Sequence, residues 1–182
     1  NDDDVSLTPL SAFSDISTTN YNYLKSEILE DLIKIMSTFK SDSKELDKLF
    51  KTCSDIKSKI NDIEGLATIS YHYGKKLIEL RMKEDALSNF KCTLSDAERI
   101  GSELWEVRAN ICIAKIKYLD EDINGARQDM EQLNDKKINW DDLRIKYEII
   151  ILLLKIAVKE KDERGIDNYI KQAQHIFELD PN

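Results

Sequence analysis

A short acidic segment near the middle of the chain carries the side chains best suited to hold a metal ion. Asp120, Asp122, Asn124, Gly125 and Glu131 follow the spacing D-x-D-x-N-G-x5-E. In a calcium-binding loop, oxygen ligands stand at positions 1, 3, 5 and 12, and glycine at position 6 allows the sharp turn. The side chains of Asp120, Asp122, Asn124 and Glu131 could therefore coordinate Ca²⁺.

Two features weaken the calcium interpretation. Loop position 8, which is usually aliphatic and pairs with a second loop, is Arg127, and the sequence contains no second match. The chain also has 35 acidic residues against 27 basic ones, a formal net charge of −8, so chance matches to an acidic template arise easily. We therefore predict no metal site and keep a calcium sensor of the EF-hand type, through residues 120–131, as an alternative.

The other reactive residues do not form a recognisable catalytic set. His72 and His175 lie far apart in the sequence, and no common nucleophile, phosphate-loop or metalloprotease motif occurs. Cys53, Cys92 and Cys112 are widely spaced and include no C-x-x-C pair. This spacing argues against a zinc site or a disulfide framework and favours packing as small apolar residues. We predict a protein that is not an enzyme and needs no cofactor.

Charge and hydropathy exclude two further classes. Phosphate recognition normally requires a basic surface, whereas this chain has a sequence pI of about 4.9. The apolar run 149–154 is far shorter than the roughly 20 residues that span a membrane. The opening residues are acidic where a targeting segment would be basic. We predict a cytoplasmic protein without direct nucleic-acid binding, in which a partner, a further repeat or a second copy covers part of the run 149–154.

The scarcity of helix breakers predicts an all-α fold. Only five glycines and two prolines occur, and Pro9 and Pro181 lie near the chain ends. Apolar residues recur at helical spacing from Tyr21 onward, in about eight segments separated by short polar turns. The stripe expected to face the core in the first segment is Leu24, Ile28, Leu32 and Met36. Residues 1–20 are rich in Ser, Thr and Asp, so we predict a flexible or extended segment there, followed by one helical domain over 21–182.

A forty-residue period relates the central segments. The pairs forty residues apart are Gly74 and Ala114, Ala86 and Ala126, and Phe90 and Met130. A small residue permits two helices of a hairpin to cross closely, and a large apolar residue fills the next turn. One period earlier, Leu46 and Phe50 fit this pattern, whereas Lys34 stands where a small residue belongs. The period predicts helical hairpins stacked in series, with an irregular helical bundle as the alternative.

These positions resemble the tetratricopeptide repeat (TPR). That family has Gly or Ala midway along the first helix, Ala at the start of the second, an aromatic residue four positions later, and Pro after the hairpin. The segment Phe177–Pro181 resembles the usual repeat ending, while Glu98 and Ile138 stand where the middle repeats would have proline. Standard repeats have about 34 residues. The forty-residue spacing is more similar to the longer variant of kinesin light chains, spindle-orientation adaptors and bacterial peptide-sensing regulators. The resemblance covers residues 22–182 and implies a solenoid of about four antiparallel hairpins.

The resemblance also implies a binding groove. In TPR proteins the first helices of the hairpins line a concave surface, with contact positions three before and one after the small residue. Carried over to this chain, those positions are Tyr71, Lys75, Ile111 and Lys115, and Arg108 lies one turn before Ile111. The three cations favour an acidic, partly aromatic peptide, unless they are ordinary solvated side chains. The family's carboxylate clamp for chaperones is not matched, because Tyr71 and Lys75 occupy its Lys and Asn positions.

On these grounds we predict a protein-interaction scaffold or adaptor domain. It would bind a peptide or helical segment of a partner within a larger assembly, and self-association is compatible with the same pattern. The alternatives are the calcium sensor described above and the peptide-sensing domain of a bacterial regulator. The two binding roles use the groove, whereas the calcium sensor uses residues 120–131.

Overall fold

The computed structural model describes residues 10–38, 43–136 and 143–179. These residues form eight α-helices and no strand, which confirms the predicted all-α class. The helices are α1 (Leu10–Thr38), α2 (Ser43–Lys59), α3 (Ile63–Glu79), α4 (Lys83–Ile100), α5 (Glu103–Leu119), α6 (Ile123–Asp135), α7 (Leu143–Glu160) and α8 (Glu163–Leu179). Within the described ranges, no helix has the length and apolar character needed to cross a bilayer.

Five of the helices end in the same way. Each is followed by one residue with φ between 56° and 66°, and these residues are Asn61, Arg81, Gly101, Glu121 and Lys161. The next residue donates its N–H to a carbonyl five positions earlier, as Asp62 does to Lys57 at 2.9 Å. This Schellman ending satisfies terminal carbonyls and reverses the chain over two residues. These five turns lie twenty or forty residues apart. The forty-residue period of the sequence is therefore twice the smallest spacing between turns.

Three helices begin with the same polar cap. The carboxylates of Asp62, Asp122 and Asp162 accept hydrogen bonds from the backbone N–H of the glycine three residues later, at 2.8, 3.0 and 3.1 Å. A Cβ on Gly125 would lie 2.2 Å from the Asp122 carboxylate, so glycine is needed for this close approach. The spacing D-x-x-G is therefore a signature of the turns in this chain.

The helices are arranged in two layers. Each helix packs against the next one along the chain, from α1 to α8. In addition, α1 contacts α3, α3 contacts α5, and α5 contacts α7. No corresponding contact joins the even-numbered helices in the described part of the chain. The odd-numbered helices therefore form one continuous layer and the even-numbered helices flank it.

The small and large residues of the forty-residue period meet where helices cross. An added Cβ on Gly74 in α3 would lie 2.9 Å from the ring of Phe90 in α4. Their counterparts Ala114 and Met130 are fully buried in one cluster, together with Ala126. The prediction that a small residue permits the close crossing of a hairpin is confirmed at Gly74 and Phe90.

The apolar run 149–154 is covered mainly by the chain itself. Its buried members are Ile149, Ile150, Leu152 and Leu153. They belong to a cluster that contains Ile111, Met130 and Leu133 and is flanked by Tyr169 and Ala173 of α8. Helix α7 packs against α5, α6 and α8 at once, so these four residues are covered within the chain. That a partner, a further repeat or a second copy covers part of the run stays a prediction for Ile151 and Leu154, which are half-buried.

Helix α1 begins earlier than the sequence predicts. The predicted flexible or extended segment spans 1–20, but α1 begins at Leu10. No Gly or Pro occurs between Pro9 and the end of α1, so no backbone feature stops the helix there. Residues 1–9 lie outside the described residues, as do residues 180–182 at the end of the TPR-like motif.

The rotation of α1 about its axis differs from the prediction. Leu24, Ile28 and Leu32 of the predicted core stripe are exposed, and only Met36 packs against the interior. The residues of α1 that are buried instead are Ser26, Glu30, Ile33 and Ser37. A buried carboxylate requires a charged partner, and Glu30 finds one in α2.

Two of the three cysteines are buried, as predicted. Burial raises the pKa of the Cys53 and Cys112 thiols to about 11. Cys92 on α4 is exposed, which differs from the expectation that all three pack as apolar residues. Cys92 is therefore the cysteine that reagents in solution can reach.

Candidate functional site

The odd-numbered helices line a groove made of two adjoining cavities. The larger cavity, of about 460 Å³, lies between α1, α3 and α5. The smaller, of about 160 Å³, lies between α3, α5 and α7. His72 of α3 and Arg108 of α5 line both cavities, so the two form one continuous surface across the layer.

Four of the five residues proposed for the groove come together in the smaller cavity. Tyr71, Lys75, Arg108 and Ile111 all line it. Lys115 lies one turn further along α5, where its ammonium binds the Glu148 carboxylate of α7 at 2.6 Å. Tyr71 and Ile111 are only 7 % and 1 % exposed, so they shape the floor of the cavity rather than offer contact area.

The cations of the smaller cavity lie over aromatic rings. The Lys75 Nζ is 5.4 Å from the centre of the Tyr71 ring, and the Arg108 guanidinium is 5.1 Å from that of Trp105. Such contacts help to hold a cation in place. Arg144 joins these two cations on the α7 side, whereas Glu148 is the acidic residue of the lining. This end of the groove is therefore basic.

His72 responds to this basic environment. Burial, followed by the positive charges of Lys75, Lys34 and Arg108, lowers the pKa of His72 to about 4. At neutral pH the imidazole is uncharged and can both donate and accept a hydrogen bond. An acidic ligand group at this point would raise the pKa of His72, so the residue can report occupancy of the groove.

The opposite end of the groove is acidic. The larger cavity is lined by Glu27 and Glu30 of α1, by Asp62, and by Glu64 of α3, with Tyr23 at its rim. Lys34, which binds Glu30 at 2.6 Å, is the basic residue of α1 in this lining. The charge of the groove therefore changes sign along its length, from acidic beside α1 and the start of α3 to basic beside Lys75, Arg108 and Arg144.

A buried lysine organises the acidic end. The Nζ of Lys57 lies 2.6 Å from Asp62, 2.7 Å from Glu30 and 3.2 Å from Glu27, and its side chain is fully buried. Burial disfavours the ammonium, but the hydrogen bonds with Asp62 and Glu30 outweigh it and raise the pKa of Lys57 above its ordinary value. Lys57 therefore joins α1, α2 and the start of α3 through one charged group.

The three carboxylates around Lys57 also have the spacing of metal ligands. Oxygen atoms of Glu27, Glu30 and Asp62 lie within 4.8 Å of one another, and no other group of acidic, His or Cys side chains in the described residues meets this condition. The Lys57 ammonium already lies between them and supplies the positive charge that a metal ion would bring. These residues therefore fit an internal ion cluster rather than a metal centre.

The residues of the calcium-like segment do not converge on one point. Asp122 caps α6, and Asp120 forms an ion pair with Lys83 of α4. Helix α6 begins at Ile123, so Glu131 lies two turns along a helix and approaches Arg127 at 4.0 Å instead of closing a loop. Asn124 is exposed on the first turn of α6. The pattern arises because the D-x-x-G turn places an aspartate three residues before a glycine.

Sequence reasoning missed several residues of the groove. Glu148 lies forty residues after Arg108, so applying the period once more would have found it. Arg144 lies one helical turn before Glu148 and follows from the same step. Lys57 gave no such signal, because its role depends on contacts with α1 and Asp62 that no local pattern encodes.

Comparison with models of protein families, with curated proteins and with solved structures found no match to this chain. The groove and its charge are therefore the observations that bear on function. The groove is a charged surface that extends over the four odd-numbered helices.

Proposed function

We propose that this chain is a TPR-like helical-repeat scaffold that binds a segment of a partner protein in the groove of α1, α3, α5 and α7. The turns recurring at multiples of twenty residues and the continuous layer of odd-numbered helices support stacked hairpins. The observation that carries the proposal is the pair of adjoining cavities sharing His72 and Arg108, because an extended surface of this kind suits a chain segment better than a small molecule.

The charge of the groove indicates the kind of segment. Lys75, Arg108 and Arg144 at the α5–α7 end favour acidic residues, and Glu27 and Glu64 at the α1–α3 end favour basic ones. A segment with charges of opposite sign at its two ends would bind in one direction only. A short signalling peptide of a bacterial regulator would use the same surface.

The test is partner capture with a charge reversal confined to the groove. The immobilised chain is incubated with an extract of the source cells, and the bound proteins are identified by mass spectrometry. Lys75→Glu should lose the partners that the unaltered chain retains, because two carboxylates then stand against the two remaining cations and the smaller cavity is no longer basic. Lys115 is less suitable, since Lys115→Glu would place a second carboxylate beside Glu148 and disturb the contact of α5 with α7.

Lys91→Glu is the matched control, because Lys91 is an exposed lysine on α4, outside the groove lining. It should retain every partner. If Lys75→Glu and Glu64→Lys both leave the captured set unchanged, the groove is not the binding surface and the proposal fails. For each captured protein, segments with the charge order reversed should bind more weakly, on the order of tenfold.

A further inference from the structure

Helix α1 presents an apolar stripe that no described residue of the chain covers. Its members and their exposed fractions are Tyr21 at 64 %, Leu24 at 61 %, Ile28 at 55 %, Leu32 at 40 % and Ile35 at 54 %. Single exposed apolar residues are ordinary, but five on one face of one helix form a contiguous patch. The stripe points away from Ser26, Glu30 and Ile33, which are buried, so it is separate from the Lys57 cluster.

The spacing of the stripe is symmetric about Ile28. The members lie seven and four residues before Ile28, and four and seven residues after it. The stripe departs from a heptad repeat, because the heptad position 31 is Asp31 and the apolar residue is Leu32, so a long supercoiled pairing is not expected. A twofold axis at Ile28, with the helices antiparallel, superimposes the stripe on itself. The pattern is therefore self-complementary, as an isologous interface requires.

The area and the length of α1 agree with pairing. From their exposed fractions, the five side chains leave on the order of 600 Å² open per copy, so two copies would bury on the order of 1,200 Å², the lower end of specific interfaces. Because facing positions sum to 56 in this antiparallel register, residues 18–38 of α1 lie side by side in the two copies, and the whole stripe falls within that length.

We propose that α1 is a homodimer interface, in which the stripes of two copies pack antiparallel about a twofold axis at Ile28. In this register Ile28 meets Ile28 of the second copy, Leu24 meets Leu32, and Tyr21 meets Ile35. The flanking residues Lys25 and Asp31 have opposite charges, so the stripe lacks the basic border that a membrane surface would attract. The groove faces another side of α1, through Tyr23 and Glu27, and stays open in the dimer.

The first test is the mass of the chain in solution as a function of concentration, by sedimentation equilibrium. The unaltered chain should approach twice the 21.1 kDa of one copy. Ile28→Asp should weaken dimerisation on the order of a hundredfold or more, because it places two carboxylates at the axis. Val158→Asp is the matched control, since Val158 is also 55 % exposed but lies on α7, and it should dimerise normally.

The second test fixes the direction of the pairing. In a Cys92→Ser background, Leu24→Cys and Leu32→Cys chains are oxidised separately and as a mixture. Antiparallel packing brings position 24 of one copy beside position 32 of the other, so the mixture should form a disulfide that neither chain forms alone. In either chain alone the two thiols would lie about 12 Å apart along the axis.

Each alternative outcome overturns the proposal. A chain that stays at 21.1 kDa at every concentration would show that the stripe is not a dimer interface. Disulfides within the separate Leu24→Cys or Leu32→Cys samples would contradict the antiparallel register. Equal dimerisation of Ile28→Asp and the unaltered chain would place the contact elsewhere. None of these results bears on partner capture by the groove, because Lys75 does not belong to the stripe.

Discussion

At the scale of single residues, Lys57 has the largest expected effect on stability. Its side chain is fully buried and binds Glu27, Glu30 and Asp62. Lys57→Met would remove the cation shared by three close carboxylates and leave Glu30 with Lys34 alone, and we expect it to lower the free energy of unfolding by about 3–5 kcal/mol. Lys59→Met, an exposed change on the same helix, should have little effect. Urea unfolding monitored by circular dichroism measures both variants.

The Lys57→Met variant should also change how stability depends on pH. Without the ammonium, the three close carboxylates repel one another in the folded state. Acid relieves this repulsion, so the deficit of the variant should shrink as pH falls from 7 towards 4. In the unaltered chain the raised pKa of Lys57 stabilises the fold below its ordinary value of 10.5, and this is lost only at higher pH. If the difference in free energy of unfolding between Lys57→Met and the unaltered chain is the same at every pH, Lys57 does not stabilise the fold through these carboxylates.

His72 should give the protein an acid-sensitive component of stability. Burial and the neighbouring cations lower its pKa from 6.5 to about 4, so the folded state resists protonation. The resulting stabilisation is present above pH 6.5 and is lost as pH falls towards 4. Because the ring is partly accessible to solvent, we expect a loss of about 1–2 kcal/mol in this interval. His72→Gln should remove this component, whereas the exposed His175→Gln should not. If the free energy of unfolding depends on pH in the same way for the unaltered chain, His72→Gln and His175→Gln, His72 is not the source of the acid sensitivity.

At the scale of elements, the turn between α5 and α6 decides between a cap and a calcium ligand. Asp122 accepts a hydrogen bond from the Gly125 N–H and satisfies the first turn of α6. Asp122→Ala should therefore lower the free energy of unfolding by about 1 kcal/mol. The loss should be the same with calcium and with chelator. A rise in the unfolding midpoint of the unaltered chain on adding calcium, absent in Asp122→Ala, would instead support a calcium loop.

The crossing of α3 and α4 depends on the missing side chain of Gly74. Since an added Cβ would lie 2.9 Å from the Phe90 ring, Gly74→Val should overpack the crossing and cost about 1–3 kcal/mol. Phe90→Leu alone should also destabilise the chain by reducing core volume. If the two residues share the crossing, the double variant should lose less than the sum of the single losses in urea unfolding. If the losses in the free energy of unfolding are additive, the strain in Gly74→Val does not come from contact with Phe90.

Local chemistry accounts for most of the elements, but not for the orientation of α1. The absence of internal proline and the polar turns predict eight helices, and Gly101 ends α4 with positive φ as glycine favours. The apolar stripe of α1 predicts the wrong buried face, because Glu30 must reach Lys57 on α2. That pairing depends on two residues 27 positions apart, and helical periodicity carries no information about it.

At the scale of the whole molecule, the period explains which parts of the groove could be foreseen. Lys75, Arg108 and Ile111 lie on α3 and α5, where the repeat is regular, and they line one cavity. The acidic end depends on α1, where Lys34 replaces the small residue of the pattern and the repeat gives no guide. The change of charge along the groove could therefore be recognised only from the packing of α1 against α2 and α3 in the structure.

A stack of repeats and a single helical bundle differ in how far a local destabilisation should extend through the molecule. Leu153 is buried in the cluster of α5 to α8, and Ile69 in the separate cluster of α1 to α3. In a stack, stability is a sum of local units and nearest-neighbour contacts. Leu153→Ala should cost about 2–5 kcal/mol and reduce amide hydrogen-exchange protection mainly in α6 to α8. Ile69→Ala should reduce it mainly in α1 to α3. A bundle with one cooperative core would lose protection evenly in both variants, and that result would exclude the TPR-like stack.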